Sequence, residues 1–159
     1  MADTTGELTG DDRELWERWT RAQRLLASEV DRRLQTRCGV SKAEFSVLVT
    51  LFRAPDEELR VVDIAETLDW DKSRVAHQLT RMESRALVDR VESGARGRRT
   101  GVRLAPEGRR LTAEATAVHA RALREVFFDV ASPAQLRAID SWSSAMISRA
   151  GAPARDDDA

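Results

Sequence analysis

The chain of 159 residues has little of what metal and redox sites are made from. Cys38 is its one cysteine, so no disulfide can close within it, and His77 and His119 are its two histidines. With a single thiol they are too few for a structural zinc cluster, and no metal is expected. No apolar run approaches the roughly 18 residues that cross a membrane. The opening MADTTGELTG lacks the basic-then-apolar order of a secretory signal. A cytoplasmic protein that stays where it is made is the expectation. No glycine-rich phosphate loop, nucleophile–base pairing or metal-ligand spacing is present, so neither an enzyme nor a cofactor is expected. Lysine is scarce as well: Lys42 and Lys72 are the two lysines among 26 basic residues, and arginine carries the rest of the positive charge.

What is present is a globular composition, 42% hydrophobic and 33% charged, in a length that suits one domain with added association elements. The formal net charge of -1 conceals a cancellation. Between Lys72 and Arg103 nine basic residues face only Glu83, Asp89 and Glu92, which leaves 17 basic and 24 acidic residues for everything else. A basic middle lies between acidic flanks.

Capping and periodicity divide the chain. Residues 1–10 are small, polar and acidic, and GAPARDDDA (151–159) is an acidic tail; both are expected to be flexible. Over 11–38 Leu15, Trp16, Trp19, Ala22, Leu26, Val30 and Leu34 recur at helical spacing, with Asp11 and Glu14 as candidate caps and Gly39 as the left-handed stop. In VSKAEF (40–45) Ser41 and Glu44 form a capping box, with Val40 and Phe45 as its hydrophobic staple. That helix runs to Arg53. A very short strand at 59–61 precedes a short helix on Ile64, Ala65 and Leu68, and Asp71 caps the next helix after a turn at Asp69–Trp70. Trp70 is expected to plug the core between those two helices. Residues 88–104 alternate as a β-hairpin whose tip, SGARGRR, is mobile. Pro106 starts a long helix through Leu111, Ala115, Val118, Ala122 and Val126. SPAQL (132–136) then opens another, through Ile139, Trp142 and Met146.

The chemistry concentrates in DKSRVAHQLTRM (71–82). Val75, Leu79 and Met82 fall on one side of a helix and donors fall on the other. A short helix, a tight turn and a second helix with an exposed donor face make a helix-turn-helix, whose second helix enters the major groove. Arg74, His77, Gln78 and Arg81 follow i, i+3, i+4, i+7 and so share a stripe. Arginine can grip guanine O6 and N7 with two hydrogen bonds, and glutamine can do the same to adenine N6 and N7. Lys72 and Ser73 stand in the first turn, where helix amides already favour a phosphate. Arg96, Arg98 and Arg99 on the hairpin tip suit a narrow minor groove. His77 has no carboxylate in its stripe to orient it as a base, so it is read as a DNA contact.

Residues 61–108, VVDIAETLDWDKSRVAHQLTRMESRALVDR followed by an arginine-rich tip and VRLAPEG, resemble the multiple-antibiotic-resistance regulator (MarR) family of winged helix-turn-helix transcription factors. The order and length of the flanking helices extend the likeness across most of 11–150. The resemblance implies a mainly α fold with a small β-hairpin wing: a winged helix-turn-helix (41–104, recognition helix about 71–86, wing about 88–104) flanked by long N- and C-terminal dimerisation helices (11–38 and 106–150). It further implies a homodimeric repressor on a pseudo-palindromic double-stranded DNA operator, released by a small aromatic or anionic effector. Three positions depart from the family pattern. No acidic residue stands among the tip arginines, so which of them enters the groove stays open. Ala86 occupies the place of a customary glycine after the recognition helix. Ala105 replaces a threonine cap before Pro106.

For the effector, Trp16, Trp19 and Gln23 on the first helix, with Phe45 and His119, are candidate pocket residues; packing against a partner helix is the competing reading of the tryptophans. Cys38 has only Arg37 beside it to favour a thiolate, and no redox switch is expected. The alternative function is a winged-helix protein-interaction module without specific DNA binding.

Overall fold

The computed structural model describes residues 7–55, 58–93 and 99–150. The chain divides between Ala122 and Leu123 into two compact units, which are taken in turn.

Helix α1 (Gly10–Cys38) is capped by Thr9 and not by Asp11. The Asp12 amide donates to the Thr9 hydroxyl, and the Thr9 amide donates to the Asp12 carboxylate. The box requires an acid three residues after the hydroxyl, and Thr9–Asp12 meets that spacing. Gly39 ends the helix at φ +63°, its amide donating to the Gln35 carbonyl. Of the apolar stripe only Val30 and Leu34 are buried; Trp19 and Leu26 are half-buried, and Leu15 and Trp16 are exposed.

Helix α2 (Lys42–Arg53) begins with the reciprocal Ser41–Glu44 box, and Val40 and Phe45 are buried on either side of it. Its Val47, Leu48 and Leu51 are sealed from solvent because α2 is packed on three sides, by α3 (Val61–Leu68), α4 (Lys72–Ser84) and β3 (Arg99–Leu104). Fully burying each aliphatic side chain stabilises the lobe by about 1.5–3 kcal/mol. The very short strand expected at 59–61 is found one residue earlier, as β1 (Glu58–Arg60). It pairs antiparallel with β3, and β2 (Val88–Ser93) pairs with the other edge of β3, giving the order β1-β3-β2. Val102 is opposite Leu59 on one side and Arg90 on the other, and is fully buried.

Two backbone constraints hold the hairpin to the helices. Ala86 has φ +53°, the left-handed conformation expected from its place after α4. A Cβ in that region costs about 1–2 kcal/mol. The turn is nevertheless closed, the Ala86 amide donating to Glu83 and the Leu87 amide to Met82. The Leu87 carbonyl in turn accepts from the Ala105 amide. Helix α5 (Pro106–Leu123) therefore starts without a side-chain cap but against the hairpin. Gly108 lies so close to that carbonyl that a Cβ would come within 1.9 Å of the oxygen, and only glycine fits there.

Beyond apolar contact, one polar junction ties α4 to the start of α2. The Arg85 guanidinium donates to the Glu44 carboxylate and, at 3.0 Å, to the Gly39 carbonyl. Glu44 is 4% exposed. Burial pushes its carboxyl up, but the Ser41 amide and hydroxyl and the Arg85 guanidinium outweigh it and leave the group below its ordinary value of 4.5.

In the second unit residues Arg124–Phe128 make a π-helical turn, closed by the Asp129 amide on the Arg124 carbonyl at 2.8 Å. Val126, read as a continuation of α5, falls in this wider turn. Helix α6 (Pro133–Ala150) starts with the expected Ser132–Gln135 box. None of its residues is buried, so Trp142 and Met146 are not core: with Ile147 they are exposed.

Ala86→Gly should relieve the left-handed strain, less the backbone entropy of glycine, and raise stability by about 0.5–1 kcal/mol. Denaturant titration checks it; a lower midpoint would contradict it. Glu44→Gln should cost roughly 1–3 kcal/mol near neutral pH, because Arg85 loses its ionised partner. A carboxylate with a depressed folded-state value stabilises above its unfolded value and loses that contribution as pH falls through the folded one. The gap between Glu44→Gln and the unaltered protein should therefore close as pH drops below 4.5. A gap of constant size down to pH 2 would refute the role given to this carboxylate.

Candidate nucleic-acid interface

Helix α4 carries the candidate surface, and its apolar side decides its orientation. Val75, Leu79 and Met82 are completely buried. Lys72, Ser73, Arg74, His77 and Arg81 are consequently turned outward, and all are exposed. Gln78 departs from the expected stripe: it is 9% exposed, and its Nε2 has no hydrogen-bond partner. On a helix the residue at i+4 lies beside the i+3 neighbour, and here the boundary between buried and exposed faces runs between His77 and Gln78. Reading adenine with Gln78 would need its amide in the groove, and the fold turns that amide inward.

The turn before α4 is built from the end of α3. Asp69 takes a left-handed conformation at φ +51°, which a short polar side chain tolerates better than most. The Asp69 amide donates to Glu66, and the Trp70 amide to Ala65 at 2.9 Å. Asp71 stands at the helix-capping position in extended backbone but makes no capping hydrogen bond through its side chain. Trp70 does not plug the core as expected. Its ring is half-exposed, and the Arg74 guanidinium lies over it, 4.0 Å from the ring centroid. An open hollow of about 570 Å³ lies alongside, walled by Val62, Glu66, Asp69, Trp70 and Lys72 among others.

Electrostatics set this face apart from the flanking helices. Arg32 and Arg33 both hold Glu29, whose carboxyl falls to about 2 through those hydrogen bonds. Arg60 grips Asp63 with two bonds, and Arg110 bridges Glu107 and Glu114. Lys72, Arg74 and Arg81 have no carboxylate partner among the described residues. Their charge is left for an external anion. On the hairpin, Arg103 faces Asp89 across the strands and Arg90 reaches Glu83. Arg99 opens β3, while Arg96 and Arg98 lie outside the described residues.

The candidate effector residues are only partly assembled. Phe45 and His119 meet, with ring centroids 4.8 Å apart, and burial pushes the His119 imidazole below its ordinary value. Trp16, at 63% exposure, and the exposed Gln23 do not close a pocket over them; Trp19 is half-buried. Cys38 is half-buried, and burial together with Glu114 pushes its thiol up, away from a reactive thiolate. The described residues contain no cluster of histidine, cysteine and carboxylate side chains able to hold a metal. No helix among them is long and apolar enough to cross a membrane. Two contacts escaped sequence reasoning. Trp70 and Arg74 are four residues apart, a readable cation–aromatic spacing, whereas Arg85 and Glu44 are 41 apart and leave no local signal.

By sequence the chain matches no family model and no curated protein. By structure it is similar to AbsC, a MarR family transcriptional regulator from Streptomyces coelicolor, with 26% identity, a TM-score of 0.82, and 91% of this chain and 97% of that one covered. Sco3205, a MarR family regulator from the same organism solved in complex with DNA, is 25% identical with a TM-score of 0.82, over 94% of this chain and 97% of that one. BpsR from Bordetella bronchiseptica, whose DNA binding is regulated by 6-hydroxynicotinic acid, shares the fold at 22% identity and a TM-score of 0.69, covering 84% of this chain and 98% of that one.

Removing Lys72 by Lys72→Ala should weaken binding to all DNA sequences about equally and reduce the slope of log affinity against log salt by about 1. Arg74→Ala should cost on the order of 1–3 kcal/mol on a preferred sequence and relax preference at one base pair. Salt titrations of both variants check the division of labour. An unchanged slope for Lys72→Ala, or a uniform loss for Arg74→Ala, would reverse it.

Proposed function

We propose that the chain is a MarR-type winged-helix regulator of transcription that binds DNA, and that it acts as a homodimeric repressor. In this reading it leaves a pseudo-palindromic operator when a small aromatic or anionic compound binds. The observation that carries the DNA reading is the exposed cationic face of α4, without a carboxylate partner among the described residues, on a helix whose opposite side is sealed in the core. Lys72 and Ser73 engage phosphates, Arg74 and His77 reach base edges, and Arg81 follows the backbone. Arg96, Arg98 and Arg99 contact the adjacent minor groove.

Dimerisation is supported by apolar surface that each unit leaves in water. On α1 these are Leu15, Trp16 and Leu25; in the second unit they are Val130, Trp142, Met146 and Ile147. Large exposed apolar residues of this kind are covered by a partner of like surface in most stable oligomers. Helices 11–38 and 106–150 are thus assigned to the dimer. Two α4 helices related by a two-fold axis would read half-sites roughly 34 Å apart, one turn of DNA. For the effector, the Phe45–His119 contact offers an aromatic wall with a polar edge.

Sedimentation of the full chain at micromolar concentration should give a dimer. Trp16→Glu with Ile147→Glu should give a folded monomer that binds a palindromic operator at least tenfold more weakly and a single half-site as before. A monomer in the unaltered protein, or full operator binding by the double variant, would remove the dimer. If the DNA face is also dispensable, so that joint replacement of Lys72, Arg74 and Arg98 leaves the native interaction intact, the chain is an interaction module instead.

A further inference from the structure

We propose that Trp70 is a positioning residue for base recognition, a fixed aromatic plate that holds the Arg74 guanidinium ready for a base edge. The inference rests on the reading of α4 as the helix that enters the groove. Its geometry is that of a cation over a ring face, 4.0 Å from the centroid. The five N–H groups of a guanidinium all lie in its plane. Stacking uses the face and leaves that donor edge free, so the group can be held by the indole and still grip O6 and N7 of a guanine. A carboxylate partner would do the opposite, consuming the fork it restrains.

Carboxylates are close by. Glu66, Asp69 and Asp71 wall the hollow beside Trp70, and Asp71 is three residues before Arg74, within reach on one helix face. The stack keeps the guanidinium away from them. The plate itself is held by the α3 stop, since the Trp70 amide is fixed to the Ala65 carbonyl and the ring is half-buried. Supporting helix and reading helix are thereby joined through one side-chain pair. Tryptophan is the strongest of the aromatic faces for a cation, and arginine is the partner whose plane can stack.

The test is a double-mutant cycle with the full chain: unaltered protein, Trp70→Ala, Trp70→Phe, Arg74→Ala and Trp70→Ala/Arg74→Ala. Each is titrated against a preferred duplex and its single-base-pair variants, with melting temperature recorded in parallel. Trp70→Ala should lose roughly 3- to 30-fold on the preferred duplex. The loss should fall at the base pair that Arg74→Ala also relaxes, with the salt slope unchanged. In the Arg74→Ala background it should cost little more. Trp70→Phe, which keeps a ring in the turn, should retain part of the discrimination with near-normal melting. Equal losses on every duplex, or additive losses in the double variant, would make Trp70 merely structural and overturn the inference while leaving the α4 reading standing. If Arg74→Ala itself changes no base preference, the α4 reading fails and this inference goes with it.

Discussion

The buried Glu44 carboxylate is the constraint on which the placement of α4 depends. A charge at 4% exposure is tolerable only when its lone pairs are filled, and here the donors come from two distant parts of the chain. Ser41, three residues earlier, supplies an amide and a hydroxyl; Arg85, at the end of α4, supplies a guanidinium that also takes the Gly39 carbonyl. One carboxylate thus starts α2, and through Arg85 it ties the end of α4 to the stop of α1. Hydrophobic burial of Val75, Leu79 and Met82 holds α4 against the lobe but is non-directional. Hydrogen bonds to a fixed carboxylate are directional, and they set the register of α4 against the α1–α2 corner.

Charge placement follows the same economy. Several arginines are neutralised by neighbours three or four residues away: those of α1 by Glu29, those of α5 by Glu107 and Glu114, and Arg60, just before α3, by Asp63. These exposed pairs contribute little stability one by one. What they do is tie up cations away from α4, so an acidic protein can present a basic edge. Local pairing reconciles the net charge of -1 with nucleic-acid binding.

Much of the fold was legible because its signals are local. The Ser41–Glu44 and Ser132–Gln135 boxes, the Gly39 stop, the left-handed Ala86 and the alternation at 88–104 all appear where the sequence puts them. Errors arose where two local solutions compete or where contacts are remote. Thr9 and Asp12 satisfy a box that Asp11 and Glu14 do not. Periodicity could not tell an apolar stripe facing the core from one left exposed, as on α1 and α6. Nor does it resolve the edge of an amphipathic helix, and so Gln78 was placed on the wrong side. Pairing of β1 with β3, the Gly108–Leu87 approach and the Glu44–Arg85 link are tertiary and leave no trace in spacing. Of the residues expected to face DNA, Lys72, Ser73, Arg74, His77 and Arg81 are exposed as helical geometry requires; of the candidate effector residues, Phe45 and His119 meet.

That the exposed face of α4 reads base sequence is the central claim, and selection of bound fragments from sheared genomic DNA by the purified full chain, at physiological salt, tests it most directly. The fragments should converge on an inverted repeat whose half-sites are one helical turn apart, and the same selection with Arg74→Ala should lose one defined base pair from each half. Recovery of fragments without a common sequence, or an unaltered motif with Arg74→Ala, would contradict it.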